Sequence, residues 1–449
     1  MKLIKYDNYL ETGFEAIKYK PSNWKSLRVK DLISKVGSGV TPKGGSEVYI
    51  DSGIPLLRSQ NVYNDGLRIS DVSFIDEETN LKMKNSQLRP YDLLVNITGA
   101  SIGRTCIVPP SLKKANINQH IIFLRLKKKK VDFISYYFKS PFIKDYIMMI
   151  QAGTSKEALN MGQMVNIPVI IPSFSEQTQI ANYLNSKTDA IDKKIALLEK
   201  KASNYKELRK SLINETICRG LDKSAQLKDS SIDWIGQIPE HWEVKRLKDY
   251  FKLYTGNSIS DKSNYEIEGN TYPYIATKDI DINSGEVDYQ NGMHIPITNK
   301  SFKIAKRYST LLCLEGGSAG RKIAFTETKV CFVNKLCCIK SLNKSAYDKY
   351  LYFLFKTTIF ENQFFSILNG LIGGVSLNLL KFFDIILPTV HEQMEIVEFL
   401  ENKTSKIDQI TTNIKSQIET LKEFRKTLIN DVVTGKIRVC EVQENELMN

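Results

Sequence analysis

Apolar or small residues stand at Ile180, Leu184, Thr188, Ile191, Ile195, Leu198, Ala202, Tyr205, Leu208 and Leu212, with polar and charged residues between them. Spacings of three and four alternate through most of this run, which predicts a long amphipathic helix with a heptad-like seam. The stripe returns at Ile396, Leu400, Thr404, Ile407, Thr411, Ile414, Ile418, Leu421, Phe424 and Leu428, an offset of 396 − 180 = 216. Both runs open on a proline and a capping box, Pro172 before Ser173 and Glu176, and Pro388 before Thr389 and Glu392. Gly220 and Gly435 stand where helix stops belong. Each helix is then about 45 residues, on the order of 65 Å long. A stripe of that length needs a cover. The simplest cover is the other copy, an antiparallel coiled coil if a two-fold axis relates the copies; the alternative is that each stripe packs on its own globular domain. Ile191, Ile195, Leu198, Leu212, Ile407, Ile414, Ile418 and Leu428 are the expected seam residues.

Between the helices the pattern changes to short apolar runs bounded by Gly, Asn and Asp, such as Leu93-Leu94-Val95, Ile121-Ile122-Phe123-Leu124 and Leu311-Leu312-Cys313-Leu314. These predict strands and turns. Helical patterns follow near 133–150 and 347–368. The copies match here as well, with small gaps. Pro21-Ser22-Asn23-Trp24 answers Pro239-Glu240-His241-Trp242, Arg28-Val29-Lys30-Asp31 answers Arg246-Leu247-Lys248-Asp249, and Gly99-Ala100-Ser101-Ile102-Gly103-Arg104 answers Gly316-Gly317-Ser318-Ala319-Gly320-Arg321. Asn118-Gln119 is set against Asn334-Lys335. The expected class is α+β: two mixed α/β domains joined by two long helices in a pseudo-two-fold internal repeat. The boundaries are 1–171 and 223–387 for the globular domains, 172–222 and 388–440 for the helices, and 441–449 for a tail. Loop residues diverge between copies, for example Ser59-Gln60-Asn61 against Thr277-Lys278-Asp279. One scaffold with two loop sets is what two recognition specificities require.

Charge narrows the partner. Lys and Arg number 63 against 50 Asp and Glu, a net +13, which favours a polyanion such as nucleic acid or an acidic membrane surface. No apolar run approaches the roughly 18 residues a spanning helix needs, and no secretory signal is visible. The seven cysteines are scattered without CxxC spacing, and Cys331, Cys337 and Cys338 lack a nearby histidine. They read as buried apolar residues of a reduced, cytoplasmic protein.

The order of these motifs, twice over, resembles the specificity subunit of a type I restriction–modification system. The carriers are Ile238-Pro239-Glu240-His241-Trp242 with Arg246-Leu247; Gly37-Ser38-Gly39-Val40-Thr41-Pro42; Arg89-Pro90-Tyr91-Asp92-Leu93-Leu94; Thr98-Gly99-Ala100-Ser101-Ile102-Gly103; Asn118-Gln119; and the Pro-x-x-x-Glu-Gln helix openings. The second copy departs at Thr255-Gly256-Asn257-Ser258 and Asn334-Lys335. The resemblance implies two target recognition domains, each reading one half of a bipartite site in double-stranded DNA. It implies long helices that fix the spacer and dock two methyltransferase (modification) subunits, with restriction subunits, ATP-driven translocases and nucleases, joining the larger complex. S-adenosylmethionine, ATP and Mg2+ would then sit on the partners and no cofactor on this chain. The alternative is a specificity subunit of another methyltransferase or nuclease assembly with one partner type.

Candidate DNA contacts lie in the loops. Thr41 and Lys43 belong to the Thr-Pro loop. Arg58, Gln60, Asn61, Thr277 and Lys278 follow strand starts and have the chemistry to read base edges, Arg for guanine and Asn or Gln for adenine. Arg104 and Arg321 end glycine turns, where they either clamp phosphate or pair with a local carboxylate. Gln119 and Lys335 complete the set, each equally readable as a solvent-facing loop residue. The lysine run 127–130 reads as a solvated turn that adds non-specific attraction. His120, His241, His294 and His391 read as structural. Catalytic signatures are missing: no GxxxxGK[ST] loop, no GxGxxG after a strand, and no Asn/Asp-Pro-Pro-aromatic motif of the amino-methyltransferases. A reader without chemistry of its own is expected. A coiled-coil scaffold that reads no sequence is disfavoured by the loop divergence.

Overall fold

A computed structural model describes residues 4–42, 44–127, 131–151, 158–259, 269–368 and 373–439. Lys43, residues 128–130 of the lysine run and the tail 441–449 lie outside the described residues. The chain divides into two compact units, residues 1–198 with 416–449, and residues 199–415. Each long helix changes unit along its length. The helix Phe174–Arg219 has 46 residues and Val390–Val433 has 44. Both end before a glycine in the left-handed region, Gly220 at φ +74° and Gly435 at φ +71°, where a side chain would be strained.

In the first unit an antiparallel four-stranded sheet runs in the order Thr105–Ile107, Leu93–Asn96, Ile121–Leu126, Ile33–Ser38. A second sheet pairs Asn116–Ile117 in parallel with Ile54–Leu57, which in turn pairs with Ser73–Ile75. The second unit repeats this order: Ile323–Phe325, Thr310–Cys313, Leu336–Ser341, Phe251–Thr255 in one sheet, and Val330–Phe332 parallel to Thr271–Ile275 in the other. Short helices follow in each, Asp132–Lys139 and Pro141–Ile150, then Asp348–Leu354 and Thr358–Ser366. Both units therefore have the mixed α and β content read from the strand runs. Cys331, Cys337 and Cys338 are buried in strands of the second.

The long helices are tied into each unit by the repeated asparagines. Asn430 accepts a hydrogen bond from the Phe142 N–H at 3.3 Å. Asn214 accepts one from the Thr358 N–H at 3.0 Å. Each caps the first turn of a short helix, where N–H groups lack helical partners. A tryptophan completes the junction. The Trp24 indole N–H donates to Glu176 at 3.2 Å, and a Cβ on Gly435 would come within 3.5 Å of the Trp24 ring. The Trp242 N–H donates to Glu392 at 3.1 Å, and a Cβ on Gly220 would meet that ring at 3.0 Å. In each unit the indole thus joins the start of one long helix to the end of the other.

The expected capping boxes form unequally. Thr389 and Glu392 make both reciprocal bonds, 3.1 and 3.4 Å. Ser173 accepts from the Glu176 N–H at 3.3 Å, but the Glu176 carboxylate turns to Trp24 and to the Tyr6 hydroxyl, 2.6 Å away. Burial alone would raise the Glu392 carboxyl, but hydrogen bonds from His241, Trp242 and Thr389 outweigh it and hold the group down at about 2.

Of the expected seam residues, Ile191, Ile407, Ile414, Ile418 and Leu428 are buried, and Ile195, Leu198 and Leu212 are partly buried. The stripe does not continue through Leu208 and Phe424, which are 52% and 54% exposed. A helix of 3.6 residues per turn drifts away from a 3.5-residue seam. Burial moves instead to Ile213 and Ile217, and to Ile429 and Val433. Arg209, beside Leu208, pairs with Asp408 at 3.0 Å. Arg425, beside Phe424, pairs with Asp192 at 3.0 Å.

Tyr91 and Tyr308 occupy the same turn in their units with φ of +71° and +64°, a region costly for a residue with a Cβ. Tyr91→Gly is expected to raise unfolding free energy by about 0.5–1 kcal/mol, measured by urea denaturation. Tyr308→Gly should gain less, because it also loses stacking on Phe325 at 6.0 Å. Destabilisation by Tyr91→Gly would contradict the strain argument.

Candidate nucleic-acid interface

Main-chain bonds bring the predicted contact loops of the first unit together. The Asn118 N–H donates to Leu57 O at 3.0 Å, Ile97 N–H to His120 O at 3.0 Å, and Gly39 N–H to Ile121 O at 3.3 Å. The chain segments leaving four strands therefore lie side by side, and they carry Thr41, Arg58, Gln60, Asn61, Arg104 and Gln119. The close crossing depends on glycine: a Cβ on Gly39 would fall 2.0 Å from Ile117 O. The second unit uses the same bonds, Val333 N–H to Ile275 O, Leu314 N–H to Lys335 O and Gly256 N–H to Leu336 O, at 3.0, 2.9 and 3.4 Å. Gly256 is as confined, its Cβ position lying 1.8 Å from Phe332 O. This cluster carries Thr277, Lys278, Arg321 and Lys335.

Those bonds correct one alignment. Lys335 O takes the place of His120 O, so Lys335 matches His120, and Asn334 matches Gln119. Side-by-side reading of Asn-Gln against Asn-Lys was one residue out, because the stretch before this loop, from Ile107 to Ile117 in one unit and from Phe325 to Phe332 in the other, differs in length while the strands at its ends keep their pairing. His120 is thus a loop residue of the cluster. Its Nδ1 lies 2.8 Å from Thr98 Oγ1 and its Nε2 3.1 Å from Gln119 Nε2, while Thr41 donates to Gln119 Oε1 at 2.5 Å. A polar relay therefore spans Thr41, Gln119, His120 and Thr98.

The candidates differ in what they offer. Asn61 is buried. Its amide donates to Arg68 O and Asp71 O at 2.8 and 3.1 Å and accepts from the Arg58 N–H at 2.9 Å. It shapes the loop and has no free edge for a base. Asp279 does the same work, accepting from the Ala276 N–H at 2.8 Å. Gln60 is exposed and donates to Asp71 at 3.0 Å. Thr277 is partly buried and Lys278 exposed; the main-chain oxygen of Thr277 accepts from Lys322 at 2.8 Å. Lys335 is exposed.

Among the described residues neither glycine-turn arginine pairs with a carboxylate. Arg104 lies over the Tyr63 ring at 4.9 Å, and Arg321 over Phe365 at 5.7 Å. Arg68 covers Tyr63 as well, at 5.0 Å, and pairs with Asp65 at 2.5 Å. Two guanidiniums sharing one tyrosine concentrate positive charge beside the cluster. Tyr63 and Arg68 were not legible as site residues, since only the fold carries their hairpin to Arg104. Asn96 is buried, donates to Ser59 O at 2.8 Å and Ser101 Oγ at 3.1 Å, and leaves its Oδ1 without a partner. Among the described residues no group of His, Cys, Asp and Glu forms a metal cage, and no helix is long and apolar enough to cross a membrane.

Comparison with known proteins gives consistent matches. The family model for the type I restriction modification DNA specificity domain matches twice, at residues 21–203 and 239–420. The MjaIX specificity subunit of a type I restriction enzyme from Methanocaldococcus jannaschii is 25% identical over 439 residues, 94% of this chain and 95% of the relative. The EcoKI specificity subunit from Escherichia coli K12 is 22% identical over 453 residues, covering 95% and 91%. A chain solved in work on complex assembly and conformational transition of the type I R-M system has a TM-score of 0.72 at 15% identity, covering 93% of this chain and 99% of that one. The HsdS subunit from Thermoanaerobacter tengcongensis has a TM-score of 0.56 at 16% identity, covering 93% and 98%. These two structures share the fold.

Proposed function

Because the chain belongs to the type I restriction modification DNA specificity domain family, we propose that each of its two loop clusters reads one half of a bipartite DNA site. The carrying observation is one backbone frame with two different sets of side chains: Arg58, Gln60, Gln119 and His120 in the first unit, Ala276, Lys278, Asn334 and Lys335 at the matched places in the second. Lys43 is kept from the sequence as a further proposed contact. Arg104 and Arg321 serve the phosphate backbone, positioning the domains without carrying sequence.

The long helices are proposed to pair antiparallel and set the spacer between the half-sites. Supporting this, Asp192 early on one helix meets Arg425 late on the other, and Asp408 early on the second meets Arg209 late on the first. The exposed Leu208 and Phe424 repeat at an offset of 424 − 208 = 216 and offer two alike apolar positions for two methyltransferase subunits. S-adenosylmethionine, ATP and Mg2+ then belong to the modification and restriction partners. This chain supplies recognition only, in the cytoplasm with the DNA.

The test is methylome sequencing of a host carrying this chain with the methyltransferase of its own system. A split motif methylated only when the chain is present is the expected result. Four residues inserted into both long helices, roughly one turn, should lengthen or shorten the preferred spacer and leave both half-sites unchanged. Altered half-sites with the old spacer would refute the proposal.

A further inference from the structure

Arg58 is a charged side chain in the first loop cluster whose situation inside the protein has no internal explanation. It opens the turn 59–61, and its own N–H is held by Asn61. The side chain is partly buried, its Nε is buried, and that Nε has no hydrogen-bond partner. No carboxylate pairs with it among the described residues. The other guanidiniums of the cluster are engaged: Arg68 with Asp65 and Tyr63, and Arg104 with Tyr63. The buried Nε is closed to an outside acceptor and is unfavourable as it stands, while the two Nη groups make no hydrogen bond among the described residues and are the capacity that the chain itself does not use.

The second unit shows that the backbone does not need this arginine. Ala276 stands at the matched place. Its N–H is held by Asp279 at 2.8 Å, as Arg58 is held by Asn61 at 2.9 Å. The strands before them receive the same neighbouring bonds, Asn118 N–H to Leu57 O and Val333 N–H to Ile275 O. One frame holds a long planar donor fork in one copy and a methyl group in the other.

We infer that Arg58 is a specificity-determining residue that reads a guanine in the half-site of the first unit, while the second half-site has no counterpart read from position 276. The inference rests on the function proposed above. A guanidinium fork matches guanine O6 and N7 in the major groove. A phosphate offers the same pair of acceptors without sequence information, so the test must separate the two.

The full chain is expressed with its methyltransferase subunits as wild type, Arg58→Ala and Arg58→Lys, and the methylated sites are sequenced. Arg58→Ala should relax the requirement for guanine at one position of one half-site by about tenfold or more, and Arg58→Lys by less, with the other half-site and the spacer unchanged. Lysine should restore the requirement only in part, because an ammonium can reach O6 and N7 but lacks the fixed planar fork. An unchanged motif would overturn the inference. So would a uniform fall in methylation with the motif intact, the mark of a phosphate contact. A lowered melting temperature of Arg58→Ala would also count against it, by giving the side chain a structural role. If the wild-type chain directs no split motif at all, it is the proposed function that fails, and the two failures are thereby told apart.

Discussion

Trp242→Ala should lower the unfolding free energy of its unit by about 3–5 kcal/mol, the range for removing a large buried aromatic. Trp242 is 1% exposed. Its ring packs on Gly220 at the end of the first long helix, and its N–H reaches Glu392 at the start of the second. The substitution therefore opens a cavity and loosens both helix ends at once. Calorimetry should show a melting temperature lower by on the order of 10 °C. Trp242→Phe keeps most of the packing and loses only the N–H, and Glu392 still holds His241 at 2.7 Å and Thr389. Its cost should be about 1 kcal/mol. A shift within one degree for the alanine variant would remove the tryptophan from the junction. Trp24 makes the same junction in the other unit through Glu176 and Gly435, so Trp24→Ala should behave alike.

Lys356→Met should have the opposite sign. Burial, with Arg209 adding to it and Asp408 opposing it, pushes the Lys356 amine down to about 7. The amine lies against the Tyr352 ring, donates to the Tyr352 hydroxyl and reaches Ser284 O at 3.2 Å. An unfolded lysine titrates near 10.4. Between those values the unfolded chain holds a proton that the folded chain lacks, so wild-type stability rises as pH climbs from about 7 toward 10. Below that window both states are protonated, the full penalty stands and the contribution is flat. Methionine removes the penalty and loses two hydrogen bonds, a net gain of about 1–3 kcal/mol at pH 8. The advantage should shrink steadily up to pH 9.5. Burial first, then nearby Asp408 and Glu286 against Arg209, pushes the Tyr352 hydroxyl up to about 12, so its own titration enters only above that range. Chemical denaturation at several pH values measures the difference. A variant less stable than wild type throughout would mean the amine stays charged and well solvated.

The candidate site was half legible in the sequence. Glycine turns and strand ends gave the loops, and the repeat gave their partners. Asn61 was misjudged because an amide beside an arginine looks the same whether it faces solvent or closes a turn on Arg68 O and Asp71 O. His120 was set aside as a lone histidine, yet its backbone oxygen occupies the place of Lys335 O. Matching identical letters cannot detect a change of length in the stretch before a loop; hydrogen bonds to fixed strands can. Glu176 and Glu392 looked alike as capping residues, but Tyr6 drew one carboxylate away from its own helix end.

What the sequence determined by itself is whatever repeats or is local. The offset of 216 places the two long helices and, with small gaps, the two globular copies; spacings of three and four mark both helices, and a glycine past each end stops them. Tertiary structure alone decided which face is covered and which groups meet. Leu208 and Phe424 turn outward while Ile213 and Ile429 turn inward, since helical periodicity defines a stripe without saying where its cover lies. The indole–glutamate junctions, the unpartnered Arg58 Nε and the Lys356 amine pushed down by burial each join residues distant in the chain or left without a neighbour. Such relations are set by long-range packing, and no window of sequence contains both sides of them.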